Sequence, residues 1–183
     1  HRYDQYWHFG PEATLSEGQD LSVSARYPNG AGILVKPLRT EGLAAKRYHG
    51  SEDPIQGWVS YDYAVKVPAP TLQYSIQGDQ RVTLATLLVP FKDTPGEVTA
   101  KAISDCEYEA SLGDSVYRIL LGDGQSQTLG NFEFDGQMLC AQFDRDGRLI
   151  DCSAAKASLI KYHDEVMLDS IIRHKIDGSH HLK

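Results

Sequence analysis

The chain has 183 residues, a formal charge of −7 and three cysteines. A chain of this length buries about 70% of its unfolded surface, so a single core needs neither disulfide nor metal to hold it. The negative charge excludes general attraction to nucleic acid or to anionic membrane, and no run of about 18 apolar residues is present to span a bilayer.

The first residues, His1-Arg2-Tyr3-Asp4-Gln5-Tyr6-Trp7-His8-Phe9, alternate as a strand. His1, Tyr3, Gln5 and Trp7 fall on one face, and Arg2, Asp4, Tyr6 and His8 on the other. Chain ends are commonly polar and poorly ordered, so a strand this dense at the start leads us to expect a piece from the carboxyl-terminal side of a larger protein. Leu21 to Tyr27 alternates again, Pro28-Asn29-Gly30 supplies a turn, and Ile33 to Val35 resumes a short strand. Pro37 to Pro54, with Gly42 and Gly50, reads as a long loop or a ragged hairpin. Gly57 to Val67 reads as one strand rich in aromatic and β-branched residues, stopped by Pro68-Ala69-Pro70. Thr71 to Ile76 follows, then a turn at Gly78-Asp79. Arg81 to Val89 is apolar on both faces, as a strand enclosed between layers would be, and Pro90 and Pro95-Gly96 punctuate the chain after it.

In the second half, Val98 to Ile103, Cys106 to Leu112 and Ser115 to Leu121 read as short strands. Gly122-Asp123-Gly124, Asp135-Gly136 and Asp144-Arg145-Asp146-Gly147 are turns between alternating runs, Met138 to Phe143 and Leu149 to Cys152 among them. Ser153 to Lys161 fits either a helix or a strand, Val166 to Ile172 is a further apolar stretch, and residues 173–183 read as a polar tail. The pattern predicts an all-β chain: an antiparallel β-sandwich of ten or more short strands in one domain, residues 1–183, without a linker.

Signatures of catalysis are missing. No Gly-rich phosphate loop, Gly-x-Ser-x-Gly elbow or His-Glu-x-x-His occurs, so no catalytic residue and no cofactor is assigned. Cys106, Cys140 and Cys152 include no Cys-x-x-Cys pair; they read as three buried small apolar residues, or as one bridge between Cys140 and Cys152 on neighbouring strands. His1 and His8 fall on opposite faces and His180-His181 lie in the tail, so no metal site is expected. Asp105, Glu107 and Glu109 share one strand face, the wrong arrangement for two carboxyls on opposing walls of a cleft; a charged outer face that blunts a sheet edge is the expectation. Lys36, Arg39, Lys46, Arg47 and His49 cluster with the single acid Glu41, as a solvated loop or as a patch for an acidic ligand. The aromatics Tyr3, Tyr6, Trp7, Trp58, Tyr61 and Tyr63 suit either a sandwich core or stacking on sugar rings. Arg39, Lys46, Arg47, Trp58 and Tyr61 are therefore the candidate substrate-binding residues.

Three stretches resemble segments of the heparinase II/III-like polysaccharide lyases. The His1 to Phe9 run, followed by Pro11, is similar to that family's "H-x-Y-x-Q-x-aromatic-H". Gly57-Trp58-Val59-Ser60, Tyr63, Lys66-Val67-Pro68-Ala69-Pro70 and Tyr74 resemble its "G-W-x-S … Y … K-x-P-A-P … Y", and Thr86-Leu87-Leu88-Val89-Pro90 its "T-L-L-x-P". The motifs cover residues 1 to 91. The resemblance implies a terminal β-sandwich packed on a preceding helical (α/α) toroid, in an enzyme that cleaves acidic, uronate-containing polysaccharides by β-elimination. Such a reaction needs a neutralised carboxylate, a Tyr or His base at C5 and an acid for the departing oxygen. The family's catalytic residues, and the metal-binding His and Asp of some members, lie in parts that would precede His1, so the resemblance implies that this chain alone is inactive. It also implies periplasm or secretion, while three cysteines without evident pairing are compatible with cytoplasm. Two other functions fit the same residues: a carbohydrate-binding module and a structural or interaction domain.

Overall fold

The computed structural model describes residues 1–79 and 81–169. Among these there are twenty strands and no helix, and every paired strand is antiparallel. The all-β expectation holds. The chain divides into two compact units, His1–Gly96 and Glu97–Lys183, where the sequence pattern led us to expect one domain. Strand periodicity marks elements but does not count the cores they close around, and each unit has a core of its own.

The first unit runs β1 (Arg2–His8), β2 (Thr14–Glu17), β3 (Val23–Arg26), β4 (Ala31–Pro37), β5 (Leu43–His49) and β6 (Ser51–Glu52). It continues through β7 (Ile55–Gln56), β8 (Trp58–Asp62), β9 (Val65–Pro68), β10 (Pro70–Gln77) and β11 (Thr86–Lys92). Two sheets, ordered β1-β10-β5 and β11-β4-β3-β2, face each other across a core of Val23, Val35, Leu72 and Tyr74, with Trp7, Phe9, Leu15, Leu21 and Leu43 around it. Two short hairpins, β6-β7 and β8-β9, complete the unit. Tyr74 ties the layers together: its fully buried ring stands on β10, while its hydroxyl donates to the Leu21 carbonyl at 2.7 Å, with the Val35 carbonyl at 3.4 Å. Burial pushes its pKa well above the usual phenol range. A second link joins the sheets where Thr86 Oγ1 donates to Gln5 Oε1 at 2.8 Å.

Three local expectations change. Gly57 to Val67 is not one strand but the hairpin β8-β9, turned at Ala64, whose φ of 58° is left-handed without a glycine to announce it. Pro37 to Pro54 is mostly ordered strand, since β5 fills its middle. Pro90 lies inside β11 rather than ending it, and β11 starts at Thr86 rather than Arg81. Because β11 is the end strand of its sheet, a residue without an N–H is tolerated there.

The second unit runs β12 (Val98–Ala102), β13 (Glu107–Leu112), β14 (Ser115–Leu121), β15 (Gln127–Leu129) and β16 (Phe132–Phe134). It continues through β17 (Met138–Phe143), β18 (Leu149–Ala155), β19 (Leu159–Tyr162) and β20 (Glu165–Asp169). Sheets ordered β12-β13-β14-β17-β18 and β15-β16-β19-β20 enclose Leu120, Phe132, Phe134, Leu139, Ala141, Cys152 and Ile160. The ambiguous stretch from Ser153 is thus the end of β18 followed by β19. Asp135 fixes that connection, accepting from the Ser158 and Leu159 backbone N–H groups at 2.6 and 2.8 Å and from the Ser158 hydroxyl. Partial burial opposes its ionisation, but these donors together hold its carboxyl below the usual range. The expected polar tail, residues 173–183, lies outside the described residues.

Glu107 and Glu109 do not blunt an edge. Their strand β13 is interior, between β12 and β14, and Glu107 is buried. Arg118 stands across both, Nη1 3.5 Å from Glu107 and Nε 3.6 Å from Glu109, and Lys101 reaches Glu109 at 2.7 Å. No bridge joins Cys140 and Cys152, and all three cysteines are free. In the β17-β18 ladder Cys152 pairs with Ala141 and Cys140 with Ser153, so the pleat points the two sulfurs to opposite faces.

Two tests follow from this packing. Tyr74→Phe leaves the Leu21 carbonyl without its phenol donor and is expected to cost about 1–3 kcal/mol in urea unfolding. Burial pushes the Cys152 thiol up to about 12 and also raises Cys140. With thiolate suppressed in the folded state, a thiol-specific disulfide reagent at pH 8 is expected to modify the buried Cys152 only as fast as the protein unfolds, and immediately in denaturant.

Candidate functional site

The outer face of the β1-β10-β5 sheet is built from alternation alone. Along β10, Leu72, Tyr74 and Ile76 point to the core, so Thr71, Gln73 and Ser75 point away from it. The register sets Tyr6 and Lys46 beside Gln73, Asp4 and Ala44 beside Ser75, and His8 and Tyr48 beside Thr71. Polar groups buried here must find partners, and they do. Tyr48 donates to Gln73 Oε1 at 2.7 Å, and Gln73 Nε2 donates to the Tyr6 hydroxyl at 2.8 Å. The Tyr6 oxygen therefore accepts from within the sheet, and its own proton is directed away from the Gln73 amide. His8 Nδ1 lies 3.1 Å from Thr71 Oγ1, and its ring stacks on Tyr6 with centroids 6.2 Å apart.

Charge flanks this network on both sides. On β1, Asp4 Oδ1 accepts from Ser75 Oγ at 2.6 Å and from Arg2 Nε at 2.9 Å, while Arg2 Nη2 reaches Ser75 at 3.1 Å. The Ser75 hydrogen bond, aided by Arg2, holds the Asp4 carboxyl below its usual range, and the hydrogen bond to Asp4 raises Arg2. On β5, Lys46 Nζ sits 4.7 Å from the centre of the Tyr48 ring. A depression of about 400 Å³ opens on this surface, lined by Arg2, Lys46, Gln73 and Ser75 among others. Chemically the face offers a surplus of one cation (Arg2 and Lys46 against Asp4), a phenol proton turned from the amide and an exposed imidazole.

The residues singled out from sequence separate in three dimensions. Lys46 belongs to this face. Arg47, next to it on β5, points to the opposite side and pairs with Glu17 at 2.7 Å. Lys36 is buried on β4 with Asp20 at 3.6 Å. Arg39 follows β4 and borders a separate small depression with Glu41, Leu43 and Thr86. Trp58 is half-buried in the β8-β9 hairpin: its indole N–H donates to the Ser51 carbonyl at 2.8 Å, and Lys66, itself paired with Glu52 at 2.9 Å, lies 4.0 Å from its ring centre. Tyr61 is exposed near the tip of that hairpin. Tyr6 stood among the aromatics that suit either a core or sugar stacking, whereas Gln73 and Tyr48 were missed; the signal was the polar alternation Thr71-x-Gln73-x-Ser75 in an otherwise apolar strand.

Among the described residues no three His, Cys, Asp or Glu side chains gather as a metal would need. No protein-family model matches the chain, and no curated protein matches it.

Gln73→Leu keeps the volume and deletes both amide bonds, stranding the Tyr48 and Tyr6 hydroxyls. It is expected to lower unfolding free energy by about 1–3 kcal/mol, measured by urea titration, against a change within about 0.5 kcal/mol for the exposed Lys46→Ala.

Proposed function

We propose that this chain is the terminal β-sandwich portion of a heparinase II/III-like polysaccharide lyase, and that the outer face of β1-β10-β5 forms one wall of its uronate-binding cleft. The elimination itself is the work of the preceding helical toroid. The observation that carries this reading is the pairing of Arg2 and Lys46 around the Tyr48–Gln73–Tyr6 hydrogen-bond chain on one sheet face. A uronate polymer presents a carboxylate and several hydroxyls on each ring, and a cation surplus beside the fixed Tyr6 phenol is complementary to both. In the family motifs, Gly57 and Trp58 have an architectural part: the Gly57 carbonyl accepts from Gly50 and Ala69, both at 2.8 Å, which seats the start of β10.

A second reading has its own support. Ile55, Tyr61, Tyr63 and Val65 are large apolar side chains exposed on the two short hairpins, with Tyr63 95% exposed. Such a group favours contact with another protein surface, as a structural module or as the side turned to a toroid.

Affinity electrophoresis through immobilised uronate polymers tests the proposal. Retention at low ionic strength, weakened by added salt and several-fold by Lys46→Ala or Arg2→Ala, is the expected result. Absence of retention on every uronate polymer overturns the cleft-wall reading and favours the interaction module. The companion expectation is ultraviolet-absorbing unsaturated product from the full-length parent and none from this chain alone.

A further inference from the structure

The second unit holds a cavity that the uronate reading does not use. It opens where the inner faces of its two sheets part, with a volume of about 270 Å³. Phe132, Phe143 and Tyr162 form its aromatic floor: Tyr162 is 4.8 Å from Phe132 and 6.1 Å from Phe143 between ring centres. The geometry is dictated by register. Phe132 pairs with Tyr162 across β16-β19, and Val116 pairs with Phe143 across β14-β17, so each sheet brings aromatic surface to the same mouth. Glu109, Arg118, Asn131, Asp144 and Arg145 complete the polar part of its lining.

The charge of this rim differs from that of the first unit's face. Arg118 is balanced by Glu107 and Glu109, and Glu109 also by Lys101. Across the opening, Arg145 pairs with Asp114. An anion would find every cation here already matched by a carboxylate. At 3.5 and 3.6 Å, however, the Arg118 contacts are ion pairs rather than hydrogen bonds, so its N–H groups and Glu109 Oε2 retain directional capacity. An aromatic floor beside fixed donors and acceptors, with no surplus cation, is complementary to a ring having an apolar C–H face and vicinal hydroxyls.

We propose that this cavity is a binding site for a single neutral pyranose, separate from the uronate-binding face. It fits one sugar ring with its hydroxyls rather than a chain laid along a groove.

The test uses the whole chain and saturation-transfer NMR with the methyl glycosides of glucose, galactose, mannose and N-acetylglucosamine at millimolar concentration. At least one is expected to bind, and Tyr162→Leu and Arg118→Met, which keep apolar bulk, are each expected to weaken it about tenfold. Circular dichroism and the melting midpoint confirm that each variant is folded; Arg145→Ala, a change at an exposed side chain, supplies a weaker second perturbation of the rim if either is not. Lys46→Ala is expected to leave glycoside binding unchanged. No binding by any of the four glycosides overturns the proposal, as does binding that survives both floor and rim substitutions or is lost with Lys46→Ala. Glucuronate binding at this cavity in place of the neutral glycosides overturns its ligand class. The uronate proposal stands or falls independently, by retention and its response to Lys46→Ala.

Discussion

Strand β10 is buried on both faces, and the first unit is arranged around that constraint. Leu72 and Tyr74 on one side are fully buried, while Thr71 and Gln73 on the other are only 1% and 2% exposed. An apolar side chain needs only to be covered, but a buried amide must have partners for both its carbonyl and its NH₂ group. Gln73 therefore dictates what stands on each neighbouring strand: Tyr48 from β5 as donor and Tyr6 from β1 as acceptor. A slip of one residue would drive Gln73 into the space of Leu72 and Tyr74 and put those side chains among polar groups, so the register is enforced from both sides of the sheet. The alignment that places Arg2 and Lys46 on one surface is thus a consequence of satisfying a buried amide.

How much of this was legible follows from the range of each interaction. The two faces of β1 were readable from its alternation, because period two is a local property. So was the all-β class, from turn residues between short alternating runs. The Tyr6–Gln73 contact joins residues 67 apart in sequence, and nothing local reports it. The basic cluster misled for a related reason: Lys46 and Arg47 look like one patch in a line of text, yet adjacent residues on a strand face opposite ways. Proximity in sequence is evidence of a shared surface in a loop and evidence against it in a strand. Gly57 to Val67 passed for a single strand because its turn uses Ala64 in a conformation that normally calls for glycine or asparagine.

The segments on which the lyase proposal draws, around Gly57, Trp58 and Pro68 to Pro70, carry folding roles that are visible residue by residue. A side chain on Gly57 would place Cβ 2.7 Å from the His49 nitrogen, with φ already at +77°, so only glycine permits the hairpin to approach β5 here. Its carbonyl takes two N–H donors, from Gly50 and Ala69, and Trp58 closes the hairpin through Ser51 and Lys66. Pro68 pairs with Trp58 before the chain enters β10 at Pro70. Such residues are the ones a fold retains whatever it binds, so they speak to architecture more than to chemistry. Function has to be argued from the sheet face they position, which is why the Arg2–Lys46 surface and not the motif is where the proposal rests.

The two units treat charge in opposite ways, and the two proposals differ for that reason. On the outer face of β1-β10-β5, Asp4 offsets Arg2, and among the described residues no carboxylate lies within ion-pair range of Lys46, which rests on the Tyr48 ring. One net positive charge then stands on a protein whose total is −7, and a local excess of that kind selects anions at short range while the overall field disfavours polyanions elsewhere. In the second unit the buried Glu107 requires a cation, Arg118 supplies it, and Glu109 and Lys101 extend the strip to a balance. Removing a charge from that strip would leave its partner unmatched in a low-dielectric setting, so the balance is constrained by folding as well as by binding. An anionic sugar gains nothing there that it does not lose to the glutamates, whereas hydroxyls exchange hydrogen bonds without disturbing the pairing. The same sandwich architecture thus leaves a cation over on one surface and uses its cations up in the other cavity, and the two proposed ligand classes rest on that contrast.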